Sequence, residues 1–208
     1  MAHLRHHHSM NDPVSLFGIT TTNLELISFI LSVITVALNI RQLHWAWLFS
    51  IVSSATYALV FYDSRLYGDM GLQFVFIAVS VWGWYQWLRG GVGHAPLPVT
   101  RSSVKGWLWG IAGWLAAFAV LAVFLAKFTN TDVPNSDGFL TAGSLLGQIL
   151  LSRKKVENWI VWIVVDILYV GLYVYKGLTL TAVLYGIFVI MAAVGLAAWY
   201  RAAERKPA

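Results

Sequence analysis

Four side chains within one apolar stretch of this 208-residue chain have types and spacing that could hold a ligand: Asn158, Trp162, Asp166 and Tyr169. Steps of four, four and three residues put them on one face of a helix. An amide, an indole, a carboxylate and a phenol on one face can hydrogen-bond, stack on and neutralise a small ring. Asp166 is the only acid deep in an apolar segment. Burying an ionised carboxylate at a bilayer centre costs about 2.5–3.5 kcal/mol on insertion scales. A cation, a pairing Arg or Lys, or protonation would offset that cost. A structural hydrogen bond is the plainer use of the same group. Gln73, Ser80 and Trp84 repeat the pattern at spacings of seven and four; Ser144 and Gln148 lie four apart, Ser32 and Asn39 seven apart. Ser32 and Ser144 read better as packing residues, because small side chains let helices approach. Gln73 and Gln148 need partners wherever they are buried. The candidate binding set is Gln73, Asn158, Trp162, Asp166, Tyr169, Gln148, Asn39, Ser80 and Trp84. It suits a flat, hydrogen-bonding, cationic ligand, since aromatic faces stack on rings and attract cations.

Other chemistry is poorly supplied. With no cysteine, thiol catalysis, disulfides and cysteine-ligated metal are excluded. His44 and His94 fall in expected loops, and Asp166 stands alone, so no catalytic, metal or cofactor site is expected. A retinal-type receptor needs a lysine inside its last span, and residues 178–200 contain none.

The elements that must carry these residues are membrane helices. The chain is 59% hydrophobic and 11% charged, where soluble domains carry about 25% charged residues. Eleven tryptophans fit interfacial aromatic belts. The net charge of +5 reads as loop bias, with no soluble basic domain to engage nucleic acid. Seven spans are expected at 24–39, 45–62, 70–87, 107–128, 139–151, 158–175 and 178–200. The fifth is short for a bilayer and reads as a helix inside the bundle. All five prolines fall outside these spans. Trp47, Trp159, Trp87 and Trp199, near span ends, read as interface anchors.

A gapless shift of 112 residues superposes the chain on itself. Arg41 falls on Arg153, Trp47 on Trp159, Tyr57 on Tyr169, Leu66 on Leu178, Gly83 on Gly195, Trp87 on Trp199 and Arg89 on Arg201. From Glu25 to Arg89, 13 of 65 positions are identical. The layout is three spans, one linker span and three spans. A shift of four spans preserves direction, so the repeats are expected to be parallel, about an axis along the membrane normal. Segments are 1–23, a tag-like (MAHLRHHHS at 1–9) and flexible amino terminus; 24–89, the first three-helix repeat; 90–136, the linker with the fourth helix; 137–201, the second repeat; and 202–208, a tail. No signal-peptide pattern precedes the first span. Ten Lys and Arg fall on one side (Arg41, Arg89, Arg101, Lys105, Arg153, Lys154, Lys155, Arg201, Arg205, Lys206) and four on the other (Arg5, Arg65, Lys127, Lys176). The ten-residue side is expected in the cytoplasm, with the amino terminus outside.

The run Arg153-Lys154-Lys155-Val156-Glu157-Asn158-Trp159-Ile160-Val161-Trp162, then Asp166 and Tyr175-Lys176-Gly177-Leu178, resembles the nicotinamide riboside transporter (PnuC) family. Leu66-Tyr67, Leu72-Gln73 and Gly83-Trp84-Tyr85-Gln86-Trp87 resemble it too. The resemblance spans roughly 24–201. It implies an all-α, seven-helix, SWEET-like membrane protein of three-one-three layout, trimeric, in the bacterial inner membrane. It implies facilitated diffusion of a vitamin precursor, trapped by a cytoplasmic riboside kinase, with Asn158, Trp162 and Gln73 at the ligand. Where this chain has Asp166, other members often carry Asn; they carry polar residues at the positions of Ala46 and Ser53. Relatives take thiamine, riboflavin or deoxynucleosides, and Asp166 favours a cation: nicotinamide riboside or thiamine. Proton coupling through Asp166 and a non-transporting adaptor are the alternatives.

Overall fold

The computed structural model is helical apart from one hairpin, and it describes residues 13–16, 19–63, 67–175, 177 and 179–205. Residues 1–9, the Leu66–Leu178 repeat pair, and Ser64, Arg65, Lys176 and Lys206 lie outside these. The described helices are α1 (Asn23–Ile40), α2 (Ala46–Asp63), α3 (Tyr67–Arg89), α4 (Val104–Phe128), α5 (Pro134–Ser152), α6 (Asn158–Tyr175) and α7 (Thr179–Glu204), with a 3₁₀ turn at Val92–His94. Val104–Phe128, Asn158–Tyr175 and Thr181–Glu204 are long and apolar enough to cross a membrane; Phe29–Ile40 and Ala46–Leu59 are shorter apolar stretches.

Two expectations change at the helix level. Part of the amino-terminal segment expected to be flexible forms an antiparallel hairpin, β1 (Pro13–Leu16) with β2 (Ile19–Thr22), Pro13 opposite Thr22. The β-branched run Ile19, Thr20, Thr21, Thr22 favours that pairing. The fifth helix has 19 residues, not 13, because Pro134 opens it. Proline is well suited there, its φ preset for the helix and its missing N–H not needed. So one of the five prolines lies in a helix after all. As expected, α5 sits inside the bundle, burying Gly138, Ala142, Gly143, Ser144 and Gly147 among others. Its small residues admit close neighbours: a Cβ on Gly138 would lie 2.8 Å from the Ala122 backbone of α4.

The core has a tryptophan layer where α1 and α5 end. Trp47, Trp87, Trp159 and Trp199 are all buried there, with Leu151, Val156 and Ala192. This corrects the reading of these four as interface anchors: helix ends converge at this level, so the indoles meet one another instead of the headgroups. Trp47 meets Trp87 edge-on at 5.5 Å and Trp159 meets Trp199 edge-on at 5.5 Å. Three of the first pair's contacts recur 112 residues on. A Cβ on Gly83 would come within 2.6 Å of Trp47 Cζ2, and one on Gly195 within 2.6 Å of Trp159 Cε2. Trp87 Nε1 donates to Leu151 O at 2.9 Å, while Trp199 Nε1 donates to Asn39 O at 3.1 Å.

The turns feeding this layer also match. Gln42 and Lys154 have φ of 57° and 47°, an uncommon left-handed conformation for these residue types. In the first turn Leu43 N–H donates to Leu38 O at 2.9 Å, and in the second Lys155 N–H donates to Leu150 O at 2.9 Å. The α3–α4 linker is stitched to the second turn. Thr100 N–H donates to Lys154 O, Val156 N–H donates to Thr100 O, both at 3.0 Å, and the Glu157 carboxylate accepts Ser102 N–H at 2.9 Å. Lys154 is buried with its ammonium 4.7 Å from the Trp87 ring centre, and desolvation lowers its pKa.

Candidate functional site

Directly beside the tryptophan layer lies a cavity of about 210 Å³. Three lining residues, Leu151, Trp159 and Ala192, also belong to the layer, so the indoles close that end. From α1 come Ser32, Thr35, Val36 and Asn39; from α2, Ser50, Ser53 and Ser54; from α5, Gln148. From α6 come Trp162 and Asp166, and from α7, Tyr185 and Phe188. The cavity therefore lies between the first two helices and the last three.

The helical faces explain the selection. Trp162 and Asp166 are one turn apart on α6, and Asp166 is 4% exposed. No cation among the described residues pairs with it, and the described lining has no lysine or arginine. Trp162 packs over α5 at Gly147, where a Cβ would lie 2.9 Å from Cε2, so glycine there seats the indole. Gln148 is anchored: its Nε2 donates to Ser80 Oγ at 3.3 Å and to Ser50 Oγ at 3.4 Å, and the two hydroxyls are 3.0 Å apart.

Of the nine candidate residues, the structure brings Asn39, Gln148, Trp162 and Asp166 to the cavity wall. Ser80 is fully buried one contact behind, holding Gln148. Asn158 is fully buried at the start of α6, its Nδ2 donating to Lys155 O at 2.6 Å, and does not line the cavity. Tyr169 packs behind Tyr185, ring centres 4.7 Å apart and tilted by 44°, with Tyr173 5.1 Å from Tyr185. Trp84 donates to His44 Nδ1 at 3.1 Å, away from the lining. Gln73 is half-buried on α3 and is not among the lining residues.

Several lining residues were missed by reading faces one helix at a time: Thr35, Ser50, Ser53, Ser54, Tyr185 and Phe188. The 112-residue register carried a signal for three of them. Ser50 falls on Trp162, Ser54 on Asp166, and Tyr185 on Gln73.

An indole wall, a phenol and phenyl wall, one carboxylate and many hydroxyls can enclose a small aromatic solute. Nothing here assembles a nucleophile with a base, and among the described residues no cluster of His, Cys, Asp or Glu could hold a metal.

Known proteins resemble this chain over most of its length. It is 29% identical to the riboflavin/roseoflavin transporter RibM of Streptomyces davaonensis over 87% of this chain and 86% of that one. It is 22% identical to the nicotinamide riboside transporter PnuC of Escherichia coli over 93% of this chain and 92% of that one. The fold matches the crystal structure of the vitamin B3 transporter PnuC with a TM-score of 0.71 at 22% identity, covering 88% of this chain and 83% of that one. Residues 22–201 match the family described as nicotinamide mononucleotide transporter. This multi-pass membrane protein belongs to the nicotinamide mononucleotide transporter family, the family of PnuC.

Proposed function

We propose that the protein carries nicotinamide riboside across the bacterial inner membrane by facilitated diffusion, with cytoplasmic phosphorylation by a riboside kinase trapping the product. The observation that carries this reading is the wall chemistry: Trp162 and Asp166 side by side, with no lysine or arginine in the described lining. A pyridinium ring gains from both the indole face and the carboxylate. A phosphate would meet Asp166 and no basic partner, so the riboside is the substrate and the mononucleotide is not. The similarity to the nicotinamide riboside transporters PnuC of Escherichia coli and Shigella flexneri supports the same ligand.

In this reading Trp162 stacks on the ring, Asp166 supplies charge, and Asn39 and Gln148 hydrogen-bond polar substituents. Asn158 and Gln73, assigned to the ligand by resemblance, are not in the lining and would reach it only in a different arrangement of the bundle. The buried Oδ1 of Asn158 has no hydrogen-bond partner among the described residues, leaving it an acceptor to offer. Of the remaining candidates, Ser80 and Tyr169 support the wall from behind, and Trp84 packs against the tryptophan layer.

The reading extends to the assembly. The two three-helix units form a parallel, SWEET-like repeat around α4, and the matched tryptophan, glycine and turn contacts support this. The amino terminus is outside and the carboxyl terminus cytoplasmic, on the ten-to-four bias of Lys and Arg. A homotrimer follows from the resemblance alone.

A second reading, riboflavin, is favoured by the similarity to RibM. Asp166 weighs against it, since the isoalloxazine ring is neutral. Uptake into liposomes separates the readings. Nicotinamide riboside should enter and equilibrate without an ion gradient, and the mononucleotide should not. Riboflavin, thiamine or deoxynucleoside entry instead would replace the substrate. A requirement for a proton gradient would replace the mechanism, and no uptake of any would favour an adaptor.

A further inference from the structure

The cavity wall is chemically lopsided. The α1–α2 side offers Ser32, Thr35, Asn39, Ser50, Ser53 and Ser54 and no aromatic ring; the α6–α7 side offers Trp162, Asp166, Tyr185 and Phe188. The register sharpens the contrast, because Ser50 and Ser54 occupy on α2 the places that Trp162 and Asp166 occupy on α6.

The serines also behave unusually for membrane helices. A hydroxyl in an apolar helix ordinarily turns back to the carbonyl one turn earlier. Thr35, Thr56 and Ser144 do so, donating to Leu31 O, Val52 O and Leu140 O at 2.8, 2.9 and 2.9 Å. Ser32, Ser53 and Ser54 make no such bond, nor any other side-chain hydrogen bond among the described residues. Ser54 is only 9% exposed, yet its hydroxyl is not among the atoms sealed from solvent, so what access it has is to the cavity. Burying a hydroxyl without a partner is unfavourable, and a solute bearing hydroxyls of its own would supply several.

We propose that the cavity has two lobes: an aromatic, acidic lobe on α6–α7 that takes the ring, and a hydroxyl lobe formed by Ser32, Ser53 and Ser54 that takes the ring's sugar substituent. The proposal deepens the transport reading above and rests on it for the ring's identity. Ser53 and Ser54 are then specificity residues for the polyhydroxylated part of the substrate. Through them the protein distinguishes a riboside from a bare ring of equal charge.

The test is binding to purified, monodisperse protein by calorimetry, using ligand pairs that differ only in the sugar. Nicotinamide riboside and 1-methylnicotinamide share the charged ring; riboflavin and lumiflavin share the neutral one. The S53A/S54A double variant should weaken nicotinamide riboside roughly 5- to 150-fold, two neutral hydrogen bonds at their usual net worth. It should leave 1-methylnicotinamide within about twofold, and that retained binding also reports an intact fold. Asp166→Asn should weaken both. Ser54→Thr keeps the hydroxyl and should retain riboside binding, whereas Ser54→Ala should not. Equal losses on both members of a pair, or no loss on the sugar-bearing member, would overturn the two-lobe proposal. Should the parent bind riboflavin and neither pyridinium, the ring assignment has failed. The lobes are then judged by the same variants on riboflavin against lumiflavin.

Discussion

Trp87 and Trp199 lie 5.9 Å apart, and each donates its indole N–H to the end of a helix in the other half of the chain. Trp87, on α3, reaches Leu151 at the end of α5; Trp199, on α7, reaches Asn39 near the end of α1. Donors and acceptors are both 112 residues apart. The exchanged pair ties α3 to the end of α5 and α7 to the end of α1, beside the cavity.

Removing either indole donor should therefore cost a similar amount. Trp87→Phe or Trp199→Phe keeps a ring and removes one hydrogen bond from a carbonyl that retains a turn partner, Lys154 N–H on Leu151 O and Gln42 N–H on Asn39 O, a loss of about 0.5–1.5 kcal/mol each. Thermal unfolding in detergent should show comparable drops in Tm. A large drop for one and none for the other would refute equivalence of the two contacts.

Glycine is required where the tryptophans lie flat on a helix. Gly83→Ala and Gly195→Ala would push a methyl to within 2.6 Å of Trp47 and Trp159 indole atoms. Overpacking of this kind costs typically about 1–3 kcal/mol. Gly113→Ala and Gly171→Ala, with open space around the new methyl, serve as controls and should not destabilise. Equal stability of all four variants would contradict this packing.

Trp162→Ala should lower ligand affinity roughly 5- to 150-fold, the loss of a stacking surface worth about 1–3 kcal/mol. Calorimetry on the monodisperse variant measures it. Parent-like binding would move the site elsewhere.

Asp166→Asn keeps shape and removes charge. It should weaken nicotinamide riboside more than an uncharged analogue in the same assay. A loss shared alike by charged and neutral ligands would make Asp166 a structural residue.

Topology can be read with single cysteines, since the chain has none of its own. A cysteine at Ser103, the cap of α4, should label only from the cytoplasmic side. One at Ser136, near the start of α5, should label from outside, as should one at Ser64, a position outside the described residues. Labelling of Ser103 from outside would invert the orientation.

The sequence by itself determined the helices and half of the site. Long apolar runs oblige the backbone to bond to itself, so α2, α6 and α7 fall within a few residues of the expected spans. Helical periodicity likewise put Trp162 and Asp166 on one face, and both reach the cavity. Only the tertiary structure decided what each face met. Asn158 and Tyr169 share that face, yet Asn158 falls at the level of the tryptophan layer and Tyr169 behind Tyr185. Periodicity fixes an angle around a helix but not the depth at which neighbours leave space. The four tryptophans were misread for the same reason, because an indole near a span end suits a headgroup or a converging neighbour equally well. The hydroxyl wall was invisible on α1 and α2 alone, where serine is an ordinary packing residue. It acquires meaning only where the packing of α1 and α2 against α5, α6 and α7 leaves a cavity between them.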